Sequence, residues 1–359
     1  ALEAAIADAT PIWNQVPQLE SDLCMIMYSS GTTGTPKGVM FNHGQFFFIN
    51  AGSMGMAGAS AKMVGLVALP LFHIGGLVAY TTITLGAGGT VVIERSFDAG
   101  RLLDTFDSAE LAVTHFLGVP AMFNAMQAHP RFASTDFSRM ITTACGAESV
   151  PEALLRTWYD RGVVIREGYG MTETCAACLM LEARDVPGKI GSAGKPVRHC
   201  QAMIARADGS EAAIDELGEI WMRGKNITPG YWNRPDANAS SFVNGWFRSG
   251  DVGRKDADGY FYVEDRVKDM YITGGENVYP AEIENILYEL AAIREVAVIG
   301  LPDAKWGEAG CVVAALKEDA LLTLEEIQAR CRDRLARFKH PARLEFVEAL
   351  PRNATGKVL

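Results

Sequence analysis

The chain has 359 residues, 48% hydrophobic and 21% charged, with a formal net charge of −10. That length is too great for one ordinary core and implies two or three domains, while the acidic balance argues against a nucleic-acid partner, whose phosphates need a basic face. Seven cysteines lie scattered along it, and Cys175 and Cys178 form a lone C-x-x-C without the second pair a zinc site needs, so the chain reads as reduced and cytoplasmic. The start shows no basic run followed by an apolar stretch of the signal-peptide kind. Residues 1–22 are Ala-rich and then polar, and carry no readable pattern. Leu23 to Met27 is a short apolar run of buried-strand type. Tyr28 to Gly38 follows, reading Tyr-Ser-Ser-Gly-Thr-Thr-Gly-Thr-Pro-Lys-Gly. Here the hydroxyls of Ser29, Ser30, Thr32, Thr33 and Thr35 surround Gly31, Gly34 and Gly38, with Lys37 near the end. Glycines let successive amides point inward as a nest for anionic oxygens, and added hydroxyls and an ammonium suit a polyphosphate. The loop is not of Walker A type, because Gly38 rather than Ser or Thr follows Lys37. A Ser/Thr/Gly linker has a similar composition, but the preceding strand and the Pro-Lys-Gly ending are unlike one.

Met63 to Ile93 contains no Asp, Glu, Lys or Arg, yet Pro70, His73 and six glycines cut it into pieces too short to span a bilayer. A strand at Val64–Leu69, a helix at Gly75–Leu85 and a strand at Val91–Ile93 account for it, as expected of a sheet covered on both faces. No integral membrane segment is expected. Gly86-Ala-Gly88-Gly89 only approaches the dinucleotide fingerprint, because residue 91 is Val. His73, beside Phe72 at a strand-to-helix turn, is either a pocket gate or a packed or surface histidine. Residues 98–140 read as helices flanking a strand near Leu111–Phe116. Thr142 to Glu148, ending in Gly146-Ala147-Glu148, is a strand running into a helix from Pro151, which is where open α/β sheets present ligands and also where plain turns occur.

Val163–Ile165 reads as a buried strand, followed by Glu167-Gly168-Tyr169-Gly170-Met171-Thr172-Glu173-Thr174. Two glycines around an aromatic, then hydroxyl and carboxylate, suit a ring platform beside a cation ligand. A phosphate-bound Mg²⁺ needs only one or two protein oxygens, so one Glu suffices, although Thr-Glu-Thr is equally a helix cap. Residues 187–263 read as a β-rich module with strands at Ala202–Ile204, Glu219–Met222 and Tyr260–Val263. The aromatics of Gly230-Tyr231-Trp232-Asn233 and Gly245-Trp246-Phe247 read as packing. Asp251, in Arg248-Ser249-Gly250-Asp251-Val252-Gly253, is a carboxylate in a Gly turn, able to accept paired hydroxyls or simply to close the turn. Past Asp265-Arg266-Val267-Lys268-Asp269 the pattern restarts. Strands are expected at Tyr271–Ile272, Glu295–Ile299 and Gly310–Ala315, with helices at Pro280–Leu290 and Leu324–Phe338. In the last helix Leu324, Ile327, Cys331, Leu335 and Phe338 give one apolar face. Gly274-Gly275 leaves room for a slender chain, while Trp306-Gly307-Glu308 and Phe338-Lys339 read equally as a turn and a helix end. Lys357 sits on a Gly-hinged tail or a frayed terminus.

Tyr28 to Gly38 resembles, nearly verbatim, the phosphate loop of the acyl-adenylate-forming superfamily, which includes acyl-CoA synthetases, luciferases and adenylation domains of peptide synthetases. The other motifs follow in the family's order, so the resemblance covers residues 24–359. It implies an α/β fold: a large domain over 1–267, with a parallel α/β sheet plus the β-rich module, then a small mobile α+β domain over 268–359 hinged at Lys268. It also implies that Ser29, Ser30, Gly31, Thr32, Thr33, Gly34 and Lys37 bind the phosphates of ATP. Gly146, Ala147, Glu148, Tyr169 and Gly170 would lie at adenine, Thr172 at the α-phosphate and Glu173 at Mg²⁺. Asp251 would take the ribose hydroxyls, assisted by Arg266. Gly274, Gly275 and Trp306 would lie along CoA, and Lys357 would serve adenylation. His73 stands where amino-acid-activating relatives carry Asp, which favours a plain fatty or aromatic carboxylic acid. The implied activity is acyl-CoA synthesis through an acyl-adenylate, with carrier-protein loading or an inactive nucleotide-binding module as alternatives. Family members carry a sizeable region before the phosphate loop, so the chain is expected to be a piece of a longer enzyme.

Overall fold

The structure is a computed structural model that describes residues 7–10, 16–29, 36–147, 150–266, 268–352 and 358. Its centre is a seven-stranded sheet in the order Thr90–Ile93, Val64–Val67, His115–Gly118, Thr142–Gly146, Ile165–Met171, Ala176–Met180, Lys195–Pro196. The first five strands are parallel, as the apolar runs imply. The last two join antiparallel.

Two layers of side chains cover this sheet. On one side lie Leu102, Leu103 and Phe106 of the helix Ala99–Asp107, Phe123 and Met126 of Pro120–Ala128, and Trp158 of Glu152–Asp160. Trp158 is 1% exposed and meets Phe123 edge-on with ring centroids 5.1 Å apart, a geometry the ring quadrupoles favour. On the other side the helix His43–Ala57 and the β-rich module share a core with Phe41, Ile49, Val78 and Leu179. That helix starts abruptly after a strand because Asn42 and Gln45 form a reciprocal capping box, and it stops at Gly58, whose φ of 66° lies in the left-handed region.

The β-rich module is a five-stranded antiparallel sheet. Cys200–Ala205, Gly218–Gly224, Trp246–Lys255 and Phe242–Val243 follow in order, and Phe261–Arg266 pairs with Trp246–Lys255. Beyond it, Tyr271, Val278, Ile283, Val298, Val312 and Ile327 form a separate core under another five-stranded sheet.

Several expected elements shift. The strand placed at Leu111–Phe116 is His115–Gly118, because Ala112 takes a φ of 48° and turns the chain first. The helix expected over Leu324–Phe338 ends at Cys331. There the amides of Arg334 and Leu335 both turn back to the Cys331 carbonyl, so Leu335 stays buried while Phe338 is 40% exposed. The helix expected over Pro280–Leu290 ends at Leu287. Gly75–Leu85 is a wide π-helical segment, Gly75–Thr82, passing into Ile83–Gly86. The strand expected at Val163–Ile165 runs instead over Ile165–Met171, so the glycine-aromatic platform is itself strand.

Glu167 on that strand is buried and accepts a hydrogen bond from the Gly191 amide at 2.8 Å. Burial pushes its carboxyl up to about 8, partly offset by the Gly191 amide. A carboxyl raised on folding contributes stability that is complete below its unfolded value, ~4.3. That stability is lost as pH rises towards about 8. Glu167→Gln is therefore expected to flatten the fall in stability between those limits. Urea denaturation at pH 5 and pH 8 measures it, and an unchanged slope in the Gln variant contradicts the assignment.

Candidate active site

The hairpin Leu23–Ser29/Lys37–Asn42 sets Ser29 directly opposite Lys37. Ser30, Gly31, Thr32, Thr33 and Gly34 of the connecting loop lie outside the described residues. Facing the hairpin end is the tight turn Thr172–Thr174 that closes the strand Ile165–Met171. Its Glu173 is 8% exposed. Glu173 Oε1 accepts from Tyr231 Oη at 2.9 Å and from Ser29 Oγ at 3.4 Å, and Lys37 Nζ stands 5.0 Å from the centroid of the same Tyr231 ring. Burial pushes the Glu173 carboxyl up, and the Tyr231 bond and Lys37 charge pull it back. The hydroxyl hydrogen bonds from Tyr231 and Ser29 both fall on Oε1. A carboxylate oriented through one oxygen fits a hard divalent cation, which would also stabilise the carboxylate against burial. Tyr231, expected only to pack, is both core and the donor that orients Glu173. Nothing in its sequence neighbourhood signals this, since the contact arises from a bridge between Val39 and Tyr231 across the fold.

A second constellation sits where the β-rich module meets the sheet. Asp251 and Arg266 are cross-strand partners, with Arg266 Nε 3.4 Å from Asp251 Oδ1. Tyr169 Oη donates to Asp251 Oδ2 at 2.6 Å, and burial followed by the Asp251 charge pushes the phenol well up. The Asp251 turn is braced by Glu219, which accepts from the Gly250 amide at 3.0 Å and from Arg248 at 2.9 Å. Tyr169 therefore touches the site through Asp251, and its ring packs against the core shared with the module.

Both constellations open on one cavity of about 840 Å³, which Thr172, Gly146, Ala147, Gly170, His73 and Lys268 also line. The wall at Gly146 and Gly170 is bare because side chains cannot fit. A Cβ on Gly146 would lie 2.5 Å from the Gly168 carbonyl, and one on Gly170 only 2.0 Å from the Ala176 carbonyl. His73 Nδ1 accepts from the Gly75 amide at 3.2 Å, which leaves Nε2 as the protonated nitrogen of the neutral ring. Beyond His73 the wall turns apolar, with Met56, Ala57, Ile74, Tyr80 and Ile83.

Other expected site residues are not in this cavity. Gly274 lies under Trp306, with its amide bonded to the Trp306 carbonyl at 2.8 Å and a φ of 60°. With Gly275 they form a turn on the small domain that does not line the cavity. Lys339, near Phe338, pairs with Glu282 at 2.5 Å. Glu148, Val267 and Lys357 lie outside the described residues.

The family model for AMP-binding enzymes matches residues 3–232, and that for the AMP-binding enzyme C-terminal domain matches residues 282–357. The chain belongs to the AMP-binding enzyme family. A feruloyl-CoA synthase of an Amycolatopsis species is 42% identical over 338 residues, covering 94% of this chain and 68% of the relative. An indoleacetate–CoA ligase of Aromatoleum aromaticum is 42% identical, covering 98% and 68%. This AMP-binding enzyme thus spans about two thirds of the length of these relatives. Among solved structures, ATP-bound MatB from Rhodopseudomonas palustris superposes with a TM-score of 0.92 at 31% identity, over 99% of this chain and 70% of that one. The o-succinylbenzoate CoA synthetase of Bacillus subtilis with its acyl-adenylate gives 0.84 at 36% identity, over 93% and 67%. No helix of the described residues is long and apolar enough to cross a membrane.

Proposed function

We propose that the chain is the part of an ATP-dependent acid–CoA ligase that activates an aromatic or fatty carboxylic acid. A carboxylate oxygen attacks the α-phosphorus of ATP, the bond to the bridging oxygen breaks, and pyrophosphate leaves. The thiol sulfur of CoA then attacks the acyl carbonyl, its proton goes to solvent, and AMP leaves with the electrons of the acyl–oxygen bond. No protein nucleophile is required, so catalysis is alignment plus charge stabilisation. One observation carries the reading: the Glu173–Tyr231–Lys37 and Tyr169–Asp251–Arg266 constellations share a single cavity with an apolar wall. Mg²⁺, when bound, neutralises phosphate charge and stabilises the pyrophosphate leaving group.

Within that reading, Ser29, Lys37 and the loop Ser30–Gly34 hold the phosphates, with Thr172 at the α-phosphate. Glu173 holds the cation, and Tyr231 orients it. Gly146, Ala147, Glu148 and Gly170 leave a flat slot for adenine, and Tyr169 braces Asp251, which accepts the ribose hydroxyls beside Arg266. His73 borders the acid, and Lys357 supplies a charge for adenylation. A unit over 268–359 turns about Lys268 to bring Gly274, Gly275 and Trp306 to the pantetheine of CoA. Relatives named for feruloyl, indoleacetate and 2-succinylbenzoate substrates support an aryl acid, and one named for long-chain fatty acids supports the alternative.

Pyrophosphate release across a panel of aryl and fatty acids tests the first half. Thioester formation with CoA, compared with a pantetheinylated carrier protein, tests the second. Release with no acid overturns the reading, and transfer only to the carrier replaces CoA as acceptor. Asp251→Ala is expected to raise the KM for ATP by about 10- to 100-fold, the loss of a charged hydrogen bond to the ribose, without changing the KM for the acid. An unchanged ATP titration removes Asp251 from the ribose.

A further inference from the structure

We infer that Met180 gauges the length of the acid, standing at a neck between the nucleotide end and the apolar end of the cavity; this rests on the ligase reading above. Met180 closes the strand Ala176–Met180, is half-buried and lines the cavity. It is the direct antiparallel partner of Gly168, which in turn pairs with Gly146 on the parallel strand Thr142–Gly146. Residues paired in this way put their side chains on one face of the sheet, so the three form one row across the cavity wall. Two of them are glycines. Of the three, Met180 alone brings a side chain to that row.

That side chain leans back over Gly168. A Cβ placed on Gly168 would lie 3.0 Å from Met180 Cε and 3.3 Å from its Sδ, so the thioether fills the space a side chain at 168 would take. Side chains at alternate positions of a strand share a face, and the next row along it lies roughly 7 Å deeper. That row holds the partners Ala144 and Arg166. Ala144 packs with Tyr80, and Arg166 Nη1 donates to the Met56 carbonyl at 2.6 Å, so this is the apolar end of the cavity. In the other direction the same face leads to Gly170 and the bare wall beside it. Residues of both ends line one continuous cavity, so the thioether narrows the passage rather than closing it.

Methionine is unbranched, turns about three bonds and carries a polarisable sulfur, so it fills irregular gaps and yields to a neighbour. Here it lies over a glycine, with no side chain beneath it to fix its rotamer. The row thus has one adjustable member and two that backbone contact fixes, since a Cβ on Gly146 would strike the Gly168 carbonyl. An acid that ends at the row packs against the thioether where it stands. A longer one must turn the thioether aside to reach the space bordered by Ala144 and Tyr80. The volume of the side chain at 180 then decides how far an acid can extend while its carboxyl stays at the reacting end.

The test uses straight-chain acids of increasing length and aryl acids with and without a para-alkyl extension. It reads kcat/KM from pyrophosphate release and acid affinity by calorimetry. Met180→Ala removes Cγ, Sδ and Cε and is expected to move the preferred length up by about three chain carbons. Acids just too long for the wild type should gain about 10- to 200-fold, the usual discrimination against one misfitting methylene in an apolar pocket. Met180→Phe, larger and stiffer, is expected to move the preferred length down. The two variants shift in opposite directions, so a poorly folding one leaves the other to decide. The same length ranking in the wild type and both variants overturns the inference. An equal loss on every acid, with the ranking intact, also overturns it and makes Met180 a packing residue of the core around Val78. If no acid releases pyrophosphate the ligase reading fails, and the calorimetric ranking still decides Met180.

Discussion

Glu173→Gln is expected to slow adenylate formation by about 100-fold and to raise the Mg²⁺ concentration for half-maximal rate by about 10- to 100-fold. The amide matches the carboxylate in size and can still accept from Tyr231, so the fold should survive. What changes is the ligand, because a neutral amide oxygen is a poorer donor to a hard cation. Tyr231→Phe separates charge from orientation. It leaves the carboxylate charge in place but removes the 2.9 Å bond that fixes Oε1, and a lost outer-shell partner weakens metal affinity by about 10-fold or more. Pyrophosphate release titrated with Mg²⁺ measures both. A Gln variant with the wild-type Mg²⁺ curve would remove Glu173 from the metal, and a Phe variant indistinguishable from wild type would remove Tyr231 from its support.

The second large effect divides the two half-reactions. If Lys357 acts only while adenylate forms, Lys357→Ala slows pyrophosphate release by about 10²–10³, the usual consequence of losing one positioned transition-state donor. Supplied acyl-adenylate and CoA should still give thioester near the normal rate. Lys268→Pro should do the reverse, because a fixed φ resists rotation about that residue, leaving adenylation near normal and thioester formation impaired. Timed quenches of each half-reaction measure the split. Equal loss of both in Lys357→Ala would sink the division of labour and leave the small domain a static cover.

The parallel sheet was legible because its strands are covered on both faces and so appear as unbroken apolar runs, Val64–Val67 among them. Glu173 and Asp251 stand out as carboxylates among glycines and hydroxyls, but that local pattern reads equally as a helix cap and a turn, and only the resemblance singles them out. The Tyr169–Asp251 bond was not, since it joins residues 82 positions apart. Tyr231 was read as packing because burial of its ring is what its neighbours show, while its hydroxyl partner lies 58 positions away. Arg166 sits inside a motif defined by its glycines, and nothing local marks it out. The helix expected to Phe338 failed for a local reason: its apolar spacing continues past Cys331, but the backbone there folds into tighter turns that keep Leu335 inward.

Arg266 contacts Asp251 and lies two residues before Lys268, and its neighbour Asp265 accepts the Ala281 amide at 3.1 Å from the start of the small domain's helix Pro280–Leu287. One strand end thus touches Asp251 with one residue and the small domain's helix with the next. If the unit turns about Lys268 as proposed, the Asp265–Ala281 bond must strain or break, and a nucleoside seated on Asp251 would shift what Arg266 can pair with. The two equilibria are then linked, and linkage is reciprocal: whatever factor a nucleoside applies to the unit's orientation, the orientation returns to nucleoside affinity. On that proposal, release of AMP and the return of the unit to its starting pose would be one thermodynamic event rather than two.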